Sequence, residues 1–200
     1  MDKIIAQGAE AVIIKKGKLA IKNRIEKTYR HPELDEKIRK LRTRAESRIL
    51  ERISKIIPVP KIISSDEIKK TIKLEFIAGK KLAEILEKSD YKKVCKQIGK
   101  SLAKLHDNNI IHGDLTTSNL ILNGKKVYFI DFGLSFHSQK IEDKAVDLHL
   151  IKEALEAKHP AISKTAYDSV IKGYKHSQNY NKVIKQLEIV EKRGRYKDQY

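Results

Sequence analysis

Two short polar clusters separated by a hairpin pattern constrain this chain more than anything else in it. The first is His112-Gly113-Asp114-Leu115-Thr116-Thr117-Ser118-Asn119, and the second is Asp131-Phe132-Gly133. Between them, Leu120-Ile121-Leu122, the turn Asn123-Gly124 and Val127-Tyr128-Phe129-Ile130 read as two antiparallel strands joined tightly. Such a hairpin brings Asn119 and Asp131 close together. Two oxygen-bearing side chains at one spot suit a hard divalent cation such as Mg²⁺, and Asp114 would orient a nucleophile. The set fits phosphoryl transfer, in which catalysis is mostly positioning plus cation-assisted stabilisation of dispersed negative charge. Each tripeptide alone is a common turn or strand end; their order around a hairpin gives them weight.

Upstream, the pattern is that of strands. Ile4 to Ala6, Ala11 to Lys15 and Leu19 to Asn23 predict a small antiparallel meander, with Gly8 and Lys16-Gly17-Lys18 at the turns. A charged helix is predicted from Asp35 to about Ser54, with Ile38, Leu41, Ala45, Ile49 and Ile53 forming one buried stripe. Pro58 and Pro60 end it, and Lys61 to Ser64 and Thr71 to Ile77 read as two further strands. Ala78-Gly79-Lys80 reads as a hinge, with Gly79 allowing the chain to turn. Beyond it the period becomes helical: a short helix at Leu82 to Leu86, a longer one through Val94, Ile98, Leu102 and Leu105, and three more after the hairpin. Those three lie around Asp143 to Ala157, Ala161 to Gly173 and Asn181 to Glu191.

The reading is therefore α+β: an N-terminal lobe over residues 1–78 with five strands and one long helix, and a mostly helical lobe over 79–200. The chain of 200 residues, 40% of them hydrophobic, can bury a core for one domain or two such lobes. There is no apolar run long enough to cross a bilayer, and Met1-Asp2-Lys3-Ile4-Ile5 lacks the layout of a signal peptide, so a soluble, cytoplasmic protein is expected. Cys95 is the single cysteine, which excludes an intramolecular disulfide or a cysteine zinc site and leaves it as packing filler. The charge of +17, from 43 Lys and Arg against 26 Asp and Glu, suits a polyanionic partner. The tail Lys192-Arg193-Gly194-Arg195-Tyr196-Lys197 adds clustered cations and an aromatic that suit RNA, although a frayed, solvated terminus has the same composition.

Lys22 closes the apolar strand Leu19-Ala20-Ile21 beside the turn holding Gly8, Ala9 and Glu10, and Glu46 lies on the long helix where it could face inward. Strand lysine, helix glutamate, hinge, Asp114 loop and Asp-Phe-Gly, in that order, resemble the protein-kinase-like superfamily. Three departures narrow the resemblance. Gln7-Gly8-Ala9-Glu10-Ala11 keeps one glycine where three are usual, and Glu10 brings negative charge towards a polyphosphate. His112-Gly113-Asp114 lacks the arginine that reads an activation-loop phosphate. No Ala-Pro-Glu follows Asp-Phe-Gly.

The runs Ile21 to Asp35, Arg42 to Arg48, His112 to Asn119 and Glu142 to Leu148 closely resemble the small RIO-like kinase subunits of the KEOPS complex, the PRPK family. That resemblance implies a reduced two-lobe protein-kinase-like fold that binds ATP with Mg²⁺, phosphorylates itself or proteins on Ser or Thr, and serves as an ATPase supporting threonylcarbamoylation of tRNA adenosine. It implies that Lys22 holds phosphates, Glu46 orients Lys22, Asp114 is the catalytic base, and Asn119 and Asp131 are metal ligands. Gly8, Ala9 and Glu10 would cover the nucleotide, and Glu75-Phe76-Ile77 would contact adenine through the backbone. The implied partners are the threonylcarbamoyl-transferring KEOPS subunit, a Cgi-type small subunit on the N-lobe, and tRNA through basic surface including Arg193, Arg195 and Lys197. Two other functions share these features: a small-molecule phosphotransferase of the aminoglycoside or sugar type, and a non-catalytic RNA-binding scaffold.

Overall fold

The apolar alternation near the N-terminus produces a five-stranded antiparallel sheet in this computed structural model, which describes residues 2–8 and 10–195, with 194 and 195 as backbone only. The strands are β1 (Lys3–Gln7), β2 (Ala11–Lys16), β3 (Leu19–Arg24), β4 (Ile62–Asp66) and β5 (Thr71–Glu75), and they lie in the order β1-β2-β3-β5-β4. Register on the central strand β3 places Lys22 between Ile13 and Ile72, and Arg24 opposite Ala11. Because side chains alternate along a strand, Lys22 and Arg24 leave the sheet on the same face.

Helix α1 (Pro32–Ile53) packs on that face, starting three residues earlier than expected because Pro32 is pre-set for a first turn. Glu33 and Asp35 in the first turn and Arg52 in the last complement the helix dipole. The buried stripe differs from the expected one. Leu41 is 51% exposed and Ala45 is exposed, whereas Thr43, Glu46 and Ser47 are buried with Ile49, Leu50 and Ile53. The C-terminal half of α1 meets the apolar core. Its middle, from Leu41 to Ser47, faces Lys22 and Arg24, so polar residues turn inward there and aliphatic ones outward.

Beyond β5 the chain forms β6 (Lys80–Lys81), α2 (Leu82–Ile85), α3 (Tyr91–Asp107), β7 (Ile110–Ile111), the hairpin of β8 (Leu120–Asn123) and β9 (Lys126–Phe129), and β10 (Phe136–His137). Helices α4 (Ile141–Lys158), α5 (Ser163–Tyr174) and α6 (Tyr180–Arg195) follow. The Asp90 carboxylate accepts from the Lys93 N–H and caps α3. Fully buried Ile98, Leu102, Leu105, Leu148, Ile151, Leu155 and Val170 join α3, α4 and α5 into the main core, each contributing about 1.5–3 kcal/mol. Cys95 is buried there and burial pushes its thiol up to about 12, as an inert filler requires.

β6 pairs with β8, so the segment after β5 is tied to the hairpin that carries Asn119 and Asp131. The reason for Gly79 is this contact: a Cβ there would lie 2.4 Å from the Leu122 carbonyl oxygen. Close approach, and not freedom to turn, requires the glycine. Among the described residues, no helix is long and apolar enough to cross a membrane.

Candidate active site

Lys22 lies at the centre of a chain of buried charges. Its Nζ donates to Glu46 Oε1 at 2.7 Å and to Asp131 Oδ1 at 2.7 Å. Burial alone would lower the Lys22 pKa, but the Glu46 and Asp131 carboxylates outweigh it and hold the ammonium above its ordinary range. The second Glu46 oxygen accepts from Arg24 Nη2 at 2.5 Å, so one buried carboxylate is shared by two cations. Sequence reasoning did not single out Arg24. Its position two residues after Lys22 on a strand, and so on the same face, was the available signal.

The second cluster is built by the loop between β7 and β8. Asn119 Nδ2 donates to the Asp114 carbonyl at 2.8 Å and to Asp114 Oδ2 at 2.9 Å. The Ile130 N–H donates to the Asn119 carbonyl at 3.0 Å, which closes the hairpin and sets Asp131 beside Asn119. Asp131 has φ +61°, a left-handed conformation unusual for a non-glycine residue and characteristic of constrained functional sites. Burial would raise its carboxyl pKa, but Lys22 overrides this and holds it below the usual carboxylate range. Asn119 has spent its N–H groups on Asp114, so Asn119 Oδ1 and the second Asp131 oxygen remain as hard acceptors. Among the described residues no group of three or more His, Cys, Asp or Glu could hold a metal. Two protein oxygens suit Mg²⁺, which commonly completes its shell with substrate phosphates and water.

Under this loop lies Asp147 of α4, fully buried. It accepts from the N–H groups of His112 at 2.6 Å and Gly113 at 2.9 Å, and from His106 Nε2 at 3.2 Å. Burial opposes its charge, yet the His106 hydrogen bond and the neighbouring imidazoles hold its carboxyl below the usual range. His112 is pushed down by burial despite Asp147, so it is neutral near pH 7. Its Nε2 donates to the Ile130 carbonyl at 3.2 Å and its Nδ1 accepts from the Asp114 N–H at 3.3 Å. Gly113 has φ +79°, and a Cβ there would sit 2.5 Å from the Leu134 carbonyl oxygen, so glycine is required. The sequence reading assigned no role to Asp147, whose contacts lie 34 to 41 residues away.

Two adjoining cavities share Lys22, Lys81 and Asp131. One, of about 180 Å³, is lined by Ala20, Leu74, Glu75, Phe76 and Ile77 and is a largely apolar slot. The other, of about 390 Å³, holds Gly8, Glu10, Arg24, Arg42, Asp114 and Gly133. Of the three residues expected to contact adenine, Glu75 donates its N–H to the Lys61 carbonyl at 2.8 Å and Phe76 to the Lys18 carbonyl at 2.9 Å. The Ile77 N–H makes no hydrogen bond among the described residues. The Gly8 N–H is turned to the Ala11 carbonyl at 3.0 Å, and a Cβ on Gly8 would meet only that oxygen, at 3.9 Å. Ala9 lies outside the described residues. Glu10 pairs with Arg42 at 2.6 Å and with Arg30 at 3.5 Å, so its negative charge is already compensated. Arg193 forms an exposed ion pair with Glu142; the Arg195 side chain and Lys197 lie outside the described residues.

The family model described as the RIO domain matches residues 13–148, a span that includes Lys22, Glu46, Asp114, Asn119, Asp131 and Asp147. Over 98% of its length the chain is 41% identical to the KEOPS complex subunit Bud32 of Pyrococcus abyssi, 97% of which it covers. The chain is a RIO-domain protein of the Bud32 family. It is also 42% identical to a probable bifunctional tRNA threonylcarbamoyladenosine biosynthesis protein of Methanobrevibacter smithii, of whose length this Bud32-family chain spans 37%. Its fold is similar to that of the Rio2 kinase of Chaetomium thermophilum in an ADP/Mg²⁺-phosphoaspartate complex. The TM-score is 0.65 at 15% identity, covering 98% of this chain and 70% of that one. The kinase-like two-part architecture expected from the motifs is thereby shown for this Bud32-family member.

Proposed function

We propose that this chain is an ATP- and Mg²⁺-dependent phosphotransferase, a Ser/Thr-directed atypical kinase with ATPase activity, working in a KEOPS assembly that supports threonylcarbamoyladenosine formation in tRNA. The observation that carries it is the single cleft joining an apolar slot, the Lys22-Asp131 pair and Asp114. Adenine would enter the slot, with the free Ile77 N–H as donor and Leu74 and Ala20 against the ring. Lys22, fixed by Glu46, would grip the inner phosphates. Asn119 and Asp131 would hold Mg²⁺, which when bound neutralises phosphate charge.

Asp114 would accept the proton of a serine, threonine or water hydroxyl as that oxygen bonds to the terminal phosphorus. The bond from phosphorus to the bridging β-γ oxygen breaks, and ADP leaves. Asn119, donating to Asp114 Oδ2, keeps that carboxylate aimed. Asp147 and neutral His112 fix the backbone from which Asp114 projects. We take residues 1–78 and 79–200 as the two lobes around this cleft.

The relatives' names support the assembly. One is a named KEOPS subunit, and in the bifunctional relative a homologous segment is part of a longer threonylcarbamoyladenosine protein. The threonylcarbamoyl-transferring subunit, a Cgi-type subunit on the N-lobe and tRNA are the partners this reading names, in the cytoplasm. The test compares ATP hydrolysis with phosphoprotein formation, with and without tRNA and the transferring subunit. Asp114→Asn and Asp131→Ala are expected to abolish both while leaving thermal unfolding nearly unchanged; full turnover in Asp131→Ala rejects the metal assignment.

A further inference from the structure

Arg24 is a guanidinium with a side chain only 3% exposed, and its charge is met by one oxygen of a carboxylate it shares with Lys22. Its Nη2 reaches Glu46 Oε2 at 2.5 Å and the Arg42 carbonyl at the outer limit of 3.5 Å. Its Nε is buried and has no hydrogen-bond partner among the described residues. Buried donors are rarely left unmade, and an unmatched one on a permanent cation beside a cavity marks a ligand contact.

Placement along the cleft identifies the ligand atom. Lys22 and Asp131 line both cavities, but Arg24 lines only the one that contains Asp114, and the adenine slot does not reach it. β3 runs outward in the same sense: Leu19 pairs with Glu75 at the apolar slot, Lys22 lies deeper, and Arg24 pairs with Ala11 just after Gly8 and Glu10. The guanidinium also abuts Gly133, whose added Cβ would lie 3.4 Å from Arg24 Nη2. An anion beyond the inner phosphates, level with Asp114, would therefore face it.

Resting on the phosphotransferase reading above, we propose that Arg24 binds the terminal phosphate of the nucleotide and makes the site selective for a triphosphate over a diphosphate. Its planar fork can hold Glu46 with one edge and a phosphate oxygen with the other, which a lysine cannot do.

The experiment measures, by calorimetry with Mg²⁺, the affinity of the full chain for ADP and for the non-hydrolysable imido analogue of ATP. Wild type is compared with Arg24→Met and Arg24→Lys. Loss of a charge-assisted contact to one phosphate predicts triphosphate binding weaker by roughly tenfold or more in Arg24→Met, with ADP binding within about twofold. Arg24→Lys keeps a cation for Glu46 but lacks the fork, so it is expected to lose triphosphate preference with little change for ADP. It also serves if Arg24→Met fails to fold. Equal weakening of both nucleotides shows that Arg24 acts only through Glu46 and Lys22 and overturns the proposal, as does an unmoved ratio in both variants. A wild-type chain that binds neither nucleotide overturns the phosphotransferase reading itself.

Discussion

Asp147 and Glu46 are both buried carboxylates, one beneath the loop that carries Asp114 and one beneath the sheet, yet their partners differ in kind. Asp147 accepts from two backbone N–H groups and from His106, whose other ring nitrogen accepts from the Tyr174 hydroxyl at 2.8 Å. His112, next to it, has both ring nitrogens engaged. That network is closed. Glu46 instead meets Lys22 and Arg24, and each leads on into the cleft: Lys22 to the half-exposed Asp131, Arg24 to a donor with no partner among the described residues. A closed network fixes geometry, whereas an open one keeps hydrogen-bonding capacity for something that binds. The first should thus be measured in stability and the second in binding and turnover.

The largest effect expected on the closed side is from Asp147→Asn. An amide cannot accept from three donors as the carboxylate does, and breaking such a buried charged cluster costs about 3–5 kcal/mol, read by urea unfolding. The pH dependence has a definite sign. The folded-state pKa of Asp147 is lowered, so between that value and the ordinary one of about 4 the unfolded chain binds more protons. Stability is complete above that window and is lost as pH falls through it, and the variant should flatten this slope. On the open side, Asp131→Asn should cost turnover roughly two to three orders of magnitude, with unfolding shifted by under about 1 kcal/mol because the side chain is half exposed. A stability loss in Asp131→Asn as large as in Asp147→Asn would erase the distinction between the networks.

Gly113→Ala probes the seam between them. The left-handed backbone and the 2.5 Å approach to the Leu134 carbonyl predict a loss of about 1–3 kcal/mol. Because Gly113 precedes Asp114, turnover should fall with stability. A variant that loses only stability would show that Asp114 is positioned from Asn119 alone.

The open network was largely legible in the sequence because its members sit in short motifs at fixed order. Lys22, Glu46, Asp114, Asn119 and Asp131 are the residues the cleft brings together. The closed network was less so, since Asp147 acts through contacts 34 to 41 residues away, which no local pattern records. Helix α1 shows a second limit. Helical periodicity points Leu41 and Ala45 inward only where the buried face is apolar; the charged cleft reverses this over the middle of the helix, where Thr43 and Glu46 are buried. Arg24 escaped notice for a related reason, because a strand arginine reads as solvated until the helix that covers it is known.

The smallest effect distinguishes a local charge from a compensated one. Glu10, between β1 and β2, would repel a polyphosphate if it faced the cleft alone, and Glu10→Gln would then tighten nucleotide binding several-fold. Its carboxylate instead pairs with Arg42 and Arg30, whose side chains form no ion pair with Lys22, Glu46 or Arg24 among the described residues. Partial burial opposes its charge, but the Arg42 hydrogen bond and charge outweigh that and hold the carboxyl below its ordinary range. With the charge already neutralised, Glu10→Gln should leave ATP affinity within about twofold, since freeing Arg42 and removing the carboxylate act weakly through solvent. Thermal stability should fall by no more than about 1 kcal/mol, as for other solvent-accessible pairs, and the difference from wild type should shrink at high salt. Its pH dependence has the same sign as that of Asp147: the lowered pKa places the contribution above the carboxylate range and removes it on acidification. Tighter ATP binding in Glu10→Gln at low salt would mean that the pair opens when nucleotide enters, and the connection between β1 and β2 would then belong with the open network.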